Sequence, residues 1–283
     1  MNENRIVENV KKRQLVLTVT TGRSGTAYLA TIFGYARGVT SLHEPSPEYV
    51  EVLREVQSRP ERAKQFLLEK KLPAILETKS GVYIETSHLV CKGFLEPLLE
   101  LGIVPDLIIH RRPARDVAIS MHKMGTIPGR SDKGLRFYLS PDDPRVLSLE
   151  NWQAMHDYQL CYWYCLEIER RAQHYKRLFS NRNARVVETS LAGLKTYAGL
   201  KECFVGLGLK PRFPEWLTNM RFTANSSVKV NESKETKKEV DPIGNIDEME
   251  QEVIARSGTD ESISWLHEFV GIGKWGETCR AKG

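Results

Sequence analysis

The sequence lacks most of the signatures that would assign it at a glance. Its five cysteines, Cys91, Cys161, Cys165, Cys203 and Cys279, form an odd set with no CxxC pair and no histidine at zinc-ligand spacing. That argues against a disulfide framework and against a metal site, and it fits reduced thiols in a cytosol. No stretch approaches the roughly 18 uncharged apolar residues that a membrane span needs. Residues 1–14 are charged and lack the apolar centre of a secretory signal, so the sequence predicts no membrane association and a cytoplasmic location. There is no long basic block either. The 41 Lys and Arg against 36 Asp and Glu leave a net charge of only +5, which suits a small anionic ligand better than a nucleic acid. The loop after the first strand is neither GxGxxG nor GxxxxGK[ST], which disfavours a dinucleotide-binding Rossmann protein and a magnesium-nucleotide triphosphatase.

What is present is a chain of 283 residues, 41% hydrophobic, long enough to bury the core of one large domain over 1–283. Short aliphatic and β-branched runs at 15–19, 39–42, 82–86, 106–110 and 185–188 read as strands. The stretches between and after them, 27–33, 47–71, 94–101, 114–124, 151–179 and 191–207, read as helices. Strands alternating with helices predict an α/β fold with a central, mostly parallel sheet. Residues 125–149, rich in Gly, Pro, Asp and Ser, read as an irregular substrate loop. The polar, lysine-rich 224–242 reads as a flexible segment, followed by short helices near 246–255 and 261–270.

Two motifs carry the chemistry. The first is Gly22, Arg23, Ser24, Gly25 and Thr26, between the first strand and a helix opening at Ala27. A strand, a glycine loop and a helix present free backbone N–H groups and a positive dipole end to an anion, and arginine adds a planar fork of donors. The bland alternative is a tight turn with a solvated arginine. The second is the run from Ile109 to Ser120, in which Arg112 ends a strand and Ser120 lies eight positions further on a helix begun at Pro113. Arg112 and Ser120 can reach one phosphate; the alternative is a basic helix start with a satisfied serine.

Together these residues resemble the sulfotransferases that use 3'-phosphoadenosine 5'-phosphosulfate (PAPS). Thr21 to Thr26 read much like the family's 5'-phosphosulfate loop, and Arg112 with Ser120 like its 3'-phosphate motif. Pro113 stands one place earlier than in many members. The resemblance spans about 15–207 and implies a three-layer, P-loop NTPase-like sulfotransferase fold. It also implies PAPS as donor, PAP as product, no metal requirement, and a small-molecule acceptor bearing a hydroxyl or amine. For the acceptor's base it implies a Glu or His. Glu44, 21 positions after Arg23 (44 minus 23), matches the offset in the tyrosylprotein branch, although it can also serve only to orient Arg23 or cap a helix. His88 matches the cytosolic branch, whose nearby lysine is missing at the matching position; it can equally be a buried, hydrogen-bonded histidine. His43 and His122 are weaker candidates. Thr189 falls where adenine-side contacts occur. The Arg-Lys-Gly signature of cytosolic members is absent, leaving Lys229, Lys234, Lys237 or Lys238 to replace it or to form a solvated charge run. Two other readings stay open: a P-loop kinase of a small metabolite, which would need magnesium and ATP, and a non-catalytic nucleotide-binding module. The acceptor and the oligomeric state are not legible.

Overall fold

The computed structural model describes residues 2–226 and 241–258. Lys229, Lys234, Lys237, Lys238, most of the 224–242 segment and the helix expected near 261–270 lie outside the described residues. In chain order the helices are α1 (Glu3–Lys11), α2 (Thr26–Phe33), α3 (Leu53–Ser58), α4 (Glu61–Phe66), α5 (Leu72–Glu77), α6 (Leu95–Glu100), α7 (Ala114–Lys123), α8 (Asp132–Phe137), α9 (Asp157–Ser180), α10 (Tyr197–Leu207), α11 (Glu215–Ser226) and α12 (Ile246–Arg256). The strands are β1 (Gln14–Val19), β2 (Val39–Leu42), β3 (Val82–Glu85), β4 (Asp106–Arg111) and β5 (Val186–Ser190). The chain divides into two compact units, Met1–Arg111 with Arg171–Lys234, and Arg112–Arg170 with Glu235–Gly283.

The first unit is built on a five-stranded sheet ordered β2-β3-β1-β4-β5, every neighbouring pair parallel. The central strands β1, β3 and β4 are buried on both faces, as a sheet covered on both sides requires. On one face Val16, Ile84 and Ile108 pack with Leu29, Ile32 and Phe33 of α2 and with Leu200, Phe204 and Leu207 of α10. The Phe33 and Phe204 rings stack 6.0 Å apart. Leu15, Leu17, Leu107 and Ile109 point the other way and are equally buried. Burying a side chain of this size contributes about 1.5–3 kcal/mol, so the sheet's central strands carry much of the fold. α10 stops where Gly208 turns left-handed at φ 67°, a conformation that costs glycine little. The helix expected over 191–207 is interrupted, because Thr196 is extended and its side chain accepts from the Gly199 amide as an N-cap.

In the second unit, α7, α8, α12 and the part of α9 up to Arg170 surround a core of aromatics. Tyr158, Trp163 and Tyr164 are fully buried. The Trp163 indole N–H donates to Leu147 O at 2.9 Å, and Tyr138 meets Tyr164 edge-on at 4.8 Å. Residues 125–149, expected to be irregular, contain α8, whose N-cap Ser131 accepts from the Gly134 amide at 3.0 Å. α12 is tied down by charge. Arg115 pairs with Glu250 and Asp247, and the Tyr158 hydroxyl donates to Glu250 at 2.5 Å.

Candidate active site

In a parallel sheet all strands release their chain at one edge, and ligands bind in the crevice outside it. From β1 the chain passes through Thr20 and Thr21 into Gly22–Gly25 and then α2. Two of these residues are left-handed, Arg23 at φ 64° and Gly25 at φ 85°. For arginine that conformation costs about 1–2 kcal/mol, and strain of this kind persists only where the surroundings fix it. Ser24 is fully buried, with its hydroxyl 2.5 Å from that of Thr21. Its carbonyl accepts from Nε2–H of His110, on β4, at 2.9 Å. Burial pushes His110 down to about 4, so it stays neutral and holds the loop from beneath. A Cβ on Gly25 would lie 2.9 Å from a Leu191 methyl, so both the turn and the packing call for glycine. The first α2 ladder bond runs from Leu29 N–H to Gly25 O, so the amides of Thr26, Ala27 and Tyr28 precede the ladder. The Arg23 side chain is exposed.

β2 ends at Leu42 and delivers His43 and Glu44; β3 ends at Glu85 and delivers Thr86, Ser87 and His88. The two segments are laced together. Thr86 N–H donates to Leu42 O at 2.9 Å and His43 Nδ1–H to Thr86 O at 2.8 Å. They are also laced to the glycine loop and its strand, since Thr86 Oγ1 donates to Thr26 O at 2.8 Å and Thr18 Oγ1 to Ser87 O at 2.9 Å. Glu44, itself left-handed at φ 44°, places Oε1 3.5 Å from His88 Nε2 and 3.4 Å from Ser87 Oγ. The two residues that the sequence offers as alternative bases are therefore neighbours. His88 Nδ1 lies 3.0 Å from the ammonium of buried Lys92. Burial, reinforced by Lys92 and His43, holds His88 well below its ordinary value. Burial, with smaller contributions from Arg54 and Arg171, pushes Lys92 down to about 7, while Cys91 and Glu44 pull it back.

No family model matches this chain and no curated protein matches it. A solved structure does. The crystal structure of mouse sulfotransferase SULT7A1 complexed with PAP is similar over 94% of this chain and 86% of that one, at 14% identity and a TM-score of 0.44.

A second lysine supports the same edge from below. Lys71 lies in a π-helical turn, Leu67–Lys71, between α4 and α5. Its ammonium sits 2.7 Å from Glu85 Oε1 and donates to the carbonyls of Pro45 and Pro47 at 3.1 and 2.9 Å. Tyr83 donates to the other Glu85 oxygen at 2.9 Å, and the Tyr49 ring lies 4.6 Å from the ammonium. The segment just after Glu44 is thereby pinned. Neither lysine stands out in the sequence as part of a site. The one available signal is a charged residue inside an apolar run, as at Leu89-Val90-Cys91-Lys92, because lysine is almost never fully buried without a partner.

The Thr189 side chain, on β5, hydrogen-bonds to the Cys203 thiol on α10. In the second unit, Arg112 follows the last residue of β4 in the chain and lies 3.9 Å from Asp116, one turn on. Ser120 is half-buried on α7. His122 is buried against His156, ring centroids 5.3 Å apart. Among the described residues no group of three or more His, Cys, Asp or Glu is placed to hold a metal ion, and no helix is long and apolar enough to cross a membrane.

Proposed function

We propose that this chain is a PAPS-dependent sulfotransferase acting on the hydroxyl or amine of a small-molecule acceptor. One observation carries the reading: an arginine-bearing anion loop at the head of α2 is hydrogen-bonded, through Thr86 and Thr26, to the segment that presents a carboxylate and an imidazole side by side. An anion grip with a proton acceptor beside it is what transfer of a sulfuryl group to a hydroxyl requires.

The residues fit the donor's charge. Arg23 is exposed and the first α2 amides precede the helical ladder, so the loop offers donors to a phosphosulfate. Arg112 and Ser120 are assigned to the 3'-phosphate. When bound, PAPS supplies the sulfuryl group: the acceptor atom forms its bond to sulfur as the bond from sulfur to the 5'-phosphate oxygen breaks, and that oxygen leaves with the electron pair. Arg23 neutralises charge at that oxygen, and Glu44 takes the acceptor's proton. Transfers of this kind depend on alignment and electrostatics.

The test is transfer of label from radiolabelled PAPS to a panel of phenols, alcohols and amines in EDTA, alongside calorimetric titration with PAP. Label in an acceptor is the expected result. PAP binding without transfer to any acceptor would assign a binding module instead, and phosphoryl transfer from ATP that needs magnesium would assign a kinase.

A further inference from the structure

His88 has different neighbours at its two ring nitrogens. Nδ1 lies 3.0 Å from Lys92 Nζ, and Nε2 lies 3.5 Å from Glu44 Oε1. An ammonium can only donate and a carboxylate can only accept. With Lys92 charged, one proton arrangement satisfies both contacts: Nζ–H to Nδ1, and Nε2–H toward Oε1. We propose that Lys92 is a positioning residue that fixes the Nε2–H tautomer of His88, and that this N–H holds the Glu44 carboxylate in place as the proton acceptor.

Three consequences follow from the geometry. His88 is not itself the base while Lys92 is charged, because its Nε2 already carries a proton. The acceptor's proton therefore goes to a Glu44 oxygen, while the imidazole N–H keeps that carboxylate aimed. When Lys92 loses its proton, the neutral amine can accept from Nδ1–H, and Nε2 then turns a lone pair toward the carboxylate, which loses its donor.

That exchange falls in an ordinary working range, because burial pushes Lys92 down to about 7. The charged and titratable groups facing Lys92 are Cys91 and Glu44, which favour the ammonium, and Arg54 and Arg171, which oppose it. Those facing His88 are Lys92, His43 and Glu44.

The tautomer is read by nitrogen NMR of the imidazoles in the full chain, a measurement independent of any transfer activity. Wild type should show His88 as Nε2–H below pH ~7 and move toward Nδ1–H above it. Lys92→Met should lose the Nε2–H preference at every pH, and Lys92→Arg, which keeps a charged donor, should hold it throughout. The kinetic arm rests on the sulfuryl-transfer reading. There, wild-type kcat should fall as pH rises through about 7. Lys92→Met should lower kcat on the order of tenfold to a hundredfold, with little change in the acceptor KM and no such limb; Lys92→Arg should flatten the limb. Finding the Nδ1–H tautomer in wild type below pH ~7, or an unchanged tautomer in Lys92→Met, overturns the proposal. The wild-type titration decides the matter even if a variant fails to fold. An Nε2–H tautomer in a protein that sulfates nothing would leave the Lys92 assignment standing and remove the transfer reading.

Discussion

Two lysines are buried in the same unit at the same edge of the sheet, and their surroundings are opposite in kind. Lys71 has a carboxylate at 2.7 Å, two backbone carbonyls and an aromatic ring. Each of its protons has a destination. Lys92 has an imidazole at 3.0 Å, and the Glu44 carboxylate stands on the far side of that ring. The first arrangement binds three segments of chain together. The second leaves a proton in balance between two nitrogens. A buried charge held by fixed acceptors is part of the scaffold, whereas one set against a titratable ring is a place where chemistry can be adjusted.

The sharpest way to break this contrast is to remove each ammonium in turn. Lys71→Met should destabilise the protein by about 3–5 kcal/mol in urea unfolding, because it leaves Glu85 buried without its counter-charge. Replacing both partners by Met and Leu should recover most of that loss. Arg23→Ala extends the comparison to an exposed cation. It should lower kcat about a hundredfold or more, a barrier increase of about 3 kcal/mol, with an unfolding midpoint close to wild type. Lys92→Met should act on stability in the direction opposite to Lys71→Met. The folded-state value near 7 lies below the ordinary 10.5, so between those two pH values the unfolded chain binds more protons and burial of this lysine costs stability. That cost is largest at and below pH 7 and fades as pH rises toward 10.5. Removing the ammonium should therefore stabilise the fold by about 2 kcal/mol at pH 7, less than the full shift because His88 loses a donor, and by nothing near the upper limit. Equal destabilisation by both methionine variants would erase the distinction between the two sites. The smallest effect is expected from Arg112→Ala, which should weaken PAP binding about tenfold by titration calorimetry while leaving kcat at saturating donor nearly unchanged.

Much of this was legible in the sequence. The strands show themselves as aliphatic runs because both faces of each central strand are buried, and the loop after β1 shows itself because its left-handed turn at Gly25, packed against Leu191, favours glycine. The sheet order, with β1 at the centre, was not, since it is set by crossovers that no local pattern encodes. α11 escaped because its apolar residues lie all around it, with Phe222 buried while Trp216 and Met220 are exposed. α1 carries a short stripe of Ile6, Val7 and Val10 behind an Asn2 cap, a signal diluted by the charges around it. Glu44 and His88 were each visible as a polar residue just past a strand end. That they form one unit with Lys92 depends on the pairing of β2 with β3 and on a turn four residues long, and neither appears before the chain folds.

The latch between α12 and the helix that carries Ser120 sets a lower bound on the length of a working fragment. A chain cut at residue 245 would keep every residue of both sequence motifs, yet it would strip Glu250 and Asp247 from Arg115 and take from the Tyr158 phenol the carboxylate that receives its proton. Expression trials that trim the protein to its recognisable motifs would thus discard the acid that completes the second unit.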